Sequence, residues 1–283
     1  MSGGLSMPFA HRLRQARTGA AILNGWIALP SPLAAEALMQ AGWDSVTIDL
    51  QHGTADYADL LALLPIIEKA GAVALVRVPW LDEAAIMRAL DAGARGIIAP
   101  MIETAADARR LVAACLYPPL GARSFGPIRA RLALSEAYAD TTRANAGIVP
   151  LAMIETRTAV DNLDTILAVP GLGGLYIGPA DLALSHGYPP GFDREEPELL
   201  ALLDHILARC TAAGLPCGLH CGAPAYAARM AAKGFALVTV GSDARFLEAG
   251  ARAATAAFRA ALAAPEAGIR HPGCGGGCGT RMA

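Results

Sequence analysis

Lysine is nearly missing from this 283-residue chain: Lys69 and Lys233 are the only two. Both fall at the ends of expected helices, away from the side where polar residues gather. A Schiff-base mechanism, which needs an amine at the reacting carbon, is therefore disfavoured. Aromatic residues make up only 5% of the chain, too few for platforms that stack bases. The formal net charge is -2 and no long basic run occurs, which argues against nucleic acid as a partner. Charged residues break every apolar stretch well short of the ~20 residues that a membrane-spanning helix needs. The first stretch, MSGGLSMPFAHRLRQAR, lacks an apolar core followed by a cleavage site, so a cytoplasmic location is expected. Six cysteines, four of them widely spaced, do not form a disulfide framework.

What is abundant is apolar: 54% of residues are hydrophobic and 17% charged, so a large buried core is expected and disorder is not. Short apolar runs alternate with helical patterns along the chain. Strands are expected at 20–28, 43–50, 72–78, 96–100, up to Glu155, up to about Gly178, at 215–219 and at 235–240. Helices follow them: one capped by Ser31 with Pro32 in its first turn, then 56–69, 82–92 ended by Gly93, and one from Thr104 to Leu116. Further helices are expected at 158–168, 197–213, 224–233 and from Ser242-Asp243 to about Leu262. About eight strand–helix pairs give a (β/α)8 TIM barrel, which typically uses roughly 250 residues. The strands are continuous rather than alternating, as parallel strands buried on both faces are. The pattern predicts one barrel domain over residues 1–263 and a Gly/Cys-rich tail over 264–283, poorly ordered, with Cys274 and Cys278 in it. One stretch, Tyr117 to Asn145, interrupts the rhythm and reads as a loop plus an extra helix from Leu132.

In such a barrel the functional face is the C-terminal rim of the strands. The polar residues expected there are Asp49, Gln51 and His52, then Arg77, Glu155 and Asp181. Glu155 and Asp181 each end an apolar run at the mouth of a helix. Two readings are open for them: helix caps, or two hard oxygen ligands for a divalent cation. Arg77 likewise suits either a core ion pair with Asp49 or a donor fork for a substrate oxygen. His220, flanked by Cys217 and Cys221, reads first as rim packing and second as a contact for a second substrate. Arg123 and Arg129 in the long loop hint at an acidic substrate, and surface salt bridges explain them equally well.

Taken together, several short motifs resemble the HpcH/HpaI class II pyruvate aldolases, a family that includes 4-hydroxy-2-oxoheptanedioate and 2-dehydro-3-deoxyglucarate aldolases. They are Asp49-Leu50-Gln51-His52-Gly53, Arg77-Val78-Pro79, Leu90-Asp91-Ala92-Gly93-Ala94, Ile98-Ala99-Pro100-Met101, Gly121-Ala122-Arg123-Ser124, Ile154-Glu155-Thr156, Gly178-Pro179-Ala180-Asp181-Leu182 and Val240-Gly241-Ser242-Asp243. The resemblance runs from about Gly25 to Leu262.

The resemblance implies a carbon–carbon lyase that cleaves a 4-hydroxy-2-oxo acid to pyruvate, or a similar 2-oxo acid, and an aldehyde through a metal-bound enolate. Glu155 and Asp181 would hold the cation, Mg²⁺ or Mn²⁺ first and Co²⁺ or Zn²⁺ next. Arg77 would meet the keto oxygen, and His52 coupled to Asp91 would move protons. The Gly178-Pro179-Ala180-Asp181 turn, with Gln51, would complete substrate binding. A homohexamer is implied, a trimer of dimers that exchange the helix Asp243 to Leu262. Two positions depart from many members: Gln51 replaces Glu, and Met153 replaces Gln beside the cation ligands. Oxaloacetate decarboxylation of the macrophomate synthase kind, through the same enolate, is the alternative reaction. A non-catalytic barrel that binds a 2-oxo acid is the alternative from outside enzymes.

Overall fold

In the computed structural model, residues 9–16, 20–134 and 136–263 are described. Eight parallel strands close into a barrel in chain order. They are β1 (Ile22–Ile27), β2 (Ser45–Asp49), β3 (Val73–Arg77), β4 (Gly96–Ala99), β5 (Val149–Ile154), β6 (Gly174–Ile177), β7 (Cys217–Cys221) and β8 (Leu237–Val240). β8 pairs with β1 through Leu237 and Ile22, which closes the ring and leaves no strand edge.

The connecting helices form where the sequence signals them. Ser31 caps Pro32–Met39, and its hydroxyl accepts from the Ala34 N–H. Asp56 and Thr104 both build reciprocal capping boxes, with Asp59 and Asp107 reaching back to the cap N–H. Gly93 ends Glu83–Ala92 with φ of 119°, a left-handed turn that a side chain resists. Lys69 and Lys233 close their helices at the face opposite the strand C-termini. No helix among the described residues is long and apolar enough to cross a membrane.

Several boundaries differ from expectation. β7 begins two residues later, at Cys217, so His220 sits inside the strand rather than beyond it. The expected helix 158–168 breaks at Asn162 into Arg157–Asp161 and Leu163–Leu167, where the Asn162 amide turns to donate to the Glu103 carbonyl. The long insertion holds Ile128–Leu134, a 3₁₀ turn and Thr141–Gly147 instead of one helix, because Asp140 caps a new start within it. One helix was not anticipated, Phe9–Ala16; the helix expected at Asp181 is the short Pro179–Ser185. Phe9 and Leu13 pack among Ile22, Leu75, Val149 and Leu237 of the barrel interior.

The chain divides into two units, Met1–Arg245 and Phe246–Ala283. The second is described to residue 263 as the continuation of the helix Asp243–Ala263, with Arg252 paired to Glu248 along its own face. The Gly/Cys tail and its Cys274 and Cys278 lie outside the described residues. Cys115, Cys210, Cys217 and Cys221 are buried free thiols.

The middle of the bore is polar. Asn24 is fully buried. Its amide donates to Thr47 at 3.0 Å and Thr239 at 2.9 Å, and its carbonyl accepts from Ser45 at 2.9 Å. Tyr176 extends this chain, 2.6 Å from Thr239 and 3.2 Å from Nδ1 of His220. Asn24→Ala takes from Ser45 and Thr47 the side-chain partner they share, while Thr239 keeps Tyr176, a cost of about 2–4 kcal/mol. In differential scanning fluorimetry the apparent Tm is expected to fall by about 5–10 °C. A shift under a degree would mean that water replaces the amide without loss.

Candidate functional site

A cleft of about 250 Å³ opens at the C-terminal rim. His52, Arg77 and Asp181 line it together with Gly178, Pro179 and Ala180. Trp26, Met153, Phe192, His220, Ser242 and Arg245 form the rest of the wall with Ala28 and Asp49.

Arg77 and Asp49 form its rigid corner. Both are strand-end residues in register, Asp49 on β2 opposite Arg77 on β3. Arg77 Nε donates to Asp49 Oδ1 at 2.8 Å, and Nη2 to Oδ2 at 2.6 Å. The ion-pair reading of Arg77 is thus realised, and it also serves the site, because the fork fixes the guanidinium at the cleft. Asp49 accepts from the backbone N–H of Gln51 and His52 and from the indole of Trp26 as well. Burial alone raises its pKa, but the hydrogen bond and charge of Arg77 with the two amides hold it below the ordinary carboxylate value. Asp49 therefore stays ionised and carries His52 into place. Gly53 lets the chain fold back here: a Cβ would stand 2.2 Å from the Asp49 carbonyl oxygen.

Glu155 is the opposite case. It is 2% exposed, directly after β5, and no Lys or Arg pairs with it among the described residues. Its Oε1 accepts from the Met101 N–H at 2.7 Å. Met101 reaches it from a left-handed conformation, φ 54°, a costly geometry for a side-chain-bearing residue. Oε2 faces Gly178, whose missing Cβ would stand 2.6 Å away. Burial pushes the pKa of Glu155 up to about 7, with the Asp181 charge adding to it and the Met101 N–H and the Arg77 charge opposing.

The cap reading of the two acids does not hold. Thr156 caps the helix after β5 through its hydroxyl. Gly178 is the cap of Pro179–Ser185 and offers no side chain, with Asp181 in the first turn. Asp181 lines the cleft and Glu155 does not, yet the Asp181 charge acts on Glu155, whose Oε2 accepts no hydrogen bond among the described residues; a divalent cation would relieve that repulsion. No three His, Cys, Asp or Glu side chains converge anywhere among the described residues. The pair suits a hard cation that fills its remaining positions with water and substrate oxygens, as Mg²⁺ or Mn²⁺ does.

Two expected residues lie elsewhere. Gln51 does not line the cleft, and its Oε1 is enclosed without a partner. Asp91 is held by Arg123 at 2.5 Å, and no hydrogen bond joins it to His52 within the described chain. Arg123 and Arg129 are both spent: Arg123 on Asp91 and Tyr138, Arg129 on Glu68 and the Ala92 carbonyl. Sequence reading passed over Trp26, Phe192 and Arg245. Phe192 and Arg245 sit outside the strands, where no periodicity marks them. Trp26 was recoverable as an inward position two residues after Asn24 on β1.

A family model for HpcH/HpaI aldolase/citrate lyase matches residues 24–249. The hydroxypyruvate/pyruvate aldolase of Rhizorhabdus wittichii is 44% identical over 234 residues, 83% of this chain and 92% of that protein. The 4-hydroxy-2-oxo-heptane-1,7-dioate aldolase of Salmonella dublin is 36% identical, over 82% of this chain and 88% of its own length. Among solved structures, an HpcH/HpaI aldolase/citrate lyase family protein from Burkholderia cenocepacia superposes with a TM-score of 0.80. It is 33% identical and covers 88% of this chain and 99% of its own.

The raised pKa of Glu155 has a consequence for the metal-free protein. An ordinary Glu ionises near 4.5 and this one near 7, so folding retains a proton over that interval. The stability gained is complete below about 4.5 and lost as pH rises through about 7. Glu155→Gln is therefore expected to raise the apparent Tm of chelator-treated protein at pH 8 by several degrees and to change it little at pH 4.5. Equal effects at both pH values would show that Glu155 is not strained by ionisation.

Proposed function

We propose a reaction for this chain, which belongs to the HpcH/HpaI aldolase/citrate lyase family: reversible aldol cleavage of a 4-hydroxy-2-oxo acid to pyruvate, or a pyruvate-like 2-oxo acid, and an aldehyde. The chain is an aldolase, a carbon–carbon lyase. The observation that carries this specific reading is a cleft lined by a locked guanidinium, an acid and an exposed imidazole, with the charges of Arg77 and Asp181 both acting on the buried Glu155.

Glu155 and Asp181 would hold the divalent cation, Mg²⁺ or Mn²⁺ in the first place and Co²⁺ or Zn²⁺ as substitutes. When bound, it supplies a Lewis acid for the negative charge that builds on the keto oxygen of the 2-oxo acid. The first-turn N–H groups of Ala180 and Asp181, beside Gly178 and Pro179, receive the substrate carboxylate; no side chain caps them. Arg77 spends Nε and Nη2 on Asp49 and turns its remaining edge to the keto oxygen. Its charge is permanent and its position fixed before substrate arrives, so the enolate oxygen meets a donor already in place. His52, carried by the Asp49-anchored turn, accepts the proton of the 4-hydroxyl as the C3–C4 bond breaks and the aldehyde leaves. The same imidazole returns a proton to C3, which gives the methyl group of pyruvate. Water relays the proton where His52 does not reach.

A homohexamer built as a trimer of dimers belongs to this proposal, as does a cytoplasmic location. Exposed Leu120, Phe125, Ile128 and Leu132 on the insertion, and exposed Leu247, Phe258 and Leu262 on the last helix, support association of copies.

Proton NMR of pyruvate in D₂O tests the first half reaction. Metal-stripped protein is expected to leave the methyl signal intact, and the signal is expected to vanish once Mg²⁺ is restored. No exchange with any divalent ion on folded protein would sink the aldolase assignment. Separately, His52→Ala is expected to slow aldol cleavage by about 10²–10⁴-fold, while oxaloacetate decarboxylation, which needs no base at a hydroxyl, is largely kept. Wild-type cleavage in that variant would remove the role given to His52.

A further inference from the structure

The two hydrogen bonds from Arg77 to Asp49 leave one motion of the guanidinium open. Parallel bonds to a carboxylate set its distance and its angle within their common plane. They resist tilting out of that plane only weakly, because the out-of-plane distribution of donors about a carbonyl-type oxygen is broad. A tilt swings the edge of Arg77 that Asp49 does not use, the edge turned to the keto oxygen. A flat surface against the face of the guanidinium is what opposes such a motion.

Trp26 supplies that surface. The centre of the Arg77 guanidinium lies 4.9 Å from the centroid of its ring, within the range in which an indole face attracts a cation. The same side chain also donates from Nε1 to Asp49 Oδ2, at 3.3 Å. Arg77 Nη2 reaches that oxygen at 2.6 Å, so the indole N–H is the looser of its two donors. The ring face is therefore the stronger of the two holds that Trp26 has on the pair.

Trp26 is itself fixed from behind. It is 3% exposed and lies within β1, in register with Thr47 of β2. Tyr176 runs nearly parallel to it, at 6.0 Å and 20°, and His220 meets it edge-on at 4.6 Å. Tyr176 is fully buried, and its hydroxyl is tied to Thr239 and to Nδ1 of His220. The indole thus joins the hydrogen-bonded chain inside the barrel to the corner at the rim, and it has no room to turn with Arg77.

We propose that Trp26 is a positioning residue for the enolate chemistry: its indole face sets the tilt of the Arg77 guanidinium, and with it the direction in which Arg77 meets the keto oxygen. The proposal rests on the aldolase reading above. Negative charge on that oxygen grows between bound substrate and enolate, so a misdirected donor costs more in the transition state than in the ground state. Loss of the face is then read in kcat and little in KM.

The test measures methyl exchange of pyruvate in D₂O against pyruvate concentration, with full-length protein and Mg²⁺. Trp26→Leu is expected to lower kcat for exchange by about 10–30-fold, the rate equivalent of a cation–π contact held out of water. KM for pyruvate is expected to stay within about threefold, since the lost contact is not with substrate. Trp26→Phe keeps a flat face and lacks the N–H, and is expected to recover most of kcat. Equal losses in Phe and Leu would move the effect to the N–H and overturn the proposal. A rise in KM with kcat unchanged overturns it too, and makes Trp26 a wall that touches substrate. A double-mutant cycle excludes a general packing effect: in Arg77→Lys, which has no planar group to tilt, Trp26→Leu is expected to change kcat by less than about twofold. A full-sized loss in that background would show that Trp26 acts without Arg77. Crystal structures of the unaltered protein and of Trp26→Leu read the tilt without activity, with Trp26→Met in place of Leu should the latter not fold. The guanidinium is expected to turn out of the Asp49 carboxylate plane in the variant; an unmoved guanidinium overturns the proposal. Absence of exchange in the unaltered protein fails the aldolase reading, whereas exchange with an unmoved Arg77 fails the positioning role alone.

Discussion

The bidentate pair between Asp49 and Arg77 is the contact on which the rim depends. Two strand-end residues in register are tied across β2 and β3, almost out of water. Such a pair gains little over a well-packed apolar one, yet losing either partner strands a charge and costs about 3–5 kcal/mol. Its value lies in what else is fastened to it. The second oxygen positions of Asp49 hold the turn that carries His52, and the indole of Trp26. Arg77 in turn lies over Trp26, which braces His220. One ion pair thereby orients a guanidinium, the turn that carries His52 and an aromatic wall.

Glu155 complements this corner by being left unsatisfied. Asp49 is held ionised by the donors around it; Glu155 has only one amide and the charge of Arg77 to set against its burial and a second acid. The difference comes from their neighbours rather than from depth, since both are nearly inaccessible. A left-handed Met101 and a glycine at 178 maintain the arrangement. Backbone strain and a missing side chain are here part of what keeps one carboxylate oxygen open.

The fold was readable in the sequence because its signals are local. Ser31, Asp56, Thr104 and Gly93 act within a few residues of themselves, and each one caps or ends the helix expected of it. Arg77, Glu155 and Asp181 were also readable, since a charge at the end of an apolar strand has one place to go. Other features depend on distant partners. The pairing of Arg123 with Asp91 and the contact of Tyr176 with His220 are set by residues 32 and 44 positions away. Periodicity says nothing of them. Arg245 looked like one more polar residue on a helix, and only the closed ring of strands shows that its first turn reaches the cleft.

The two sides of the rim are built from different kinds of backbone. Asp49, Arg77 and Glu155 end or directly follow strands whose ladders they help to terminate, so their replacement disturbs the barrel itself. Phe192 lies in a connection and Arg245 at a helix start, where a changed side chain leaves every ladder hydrogen bond intact. Mutational tolerance is therefore unequal around one opening. Substitutions on the Phe192 and Arg245 side can therefore reshape the opening while the barrel that carries Asp49, Arg77 and Glu155 keeps its ladder.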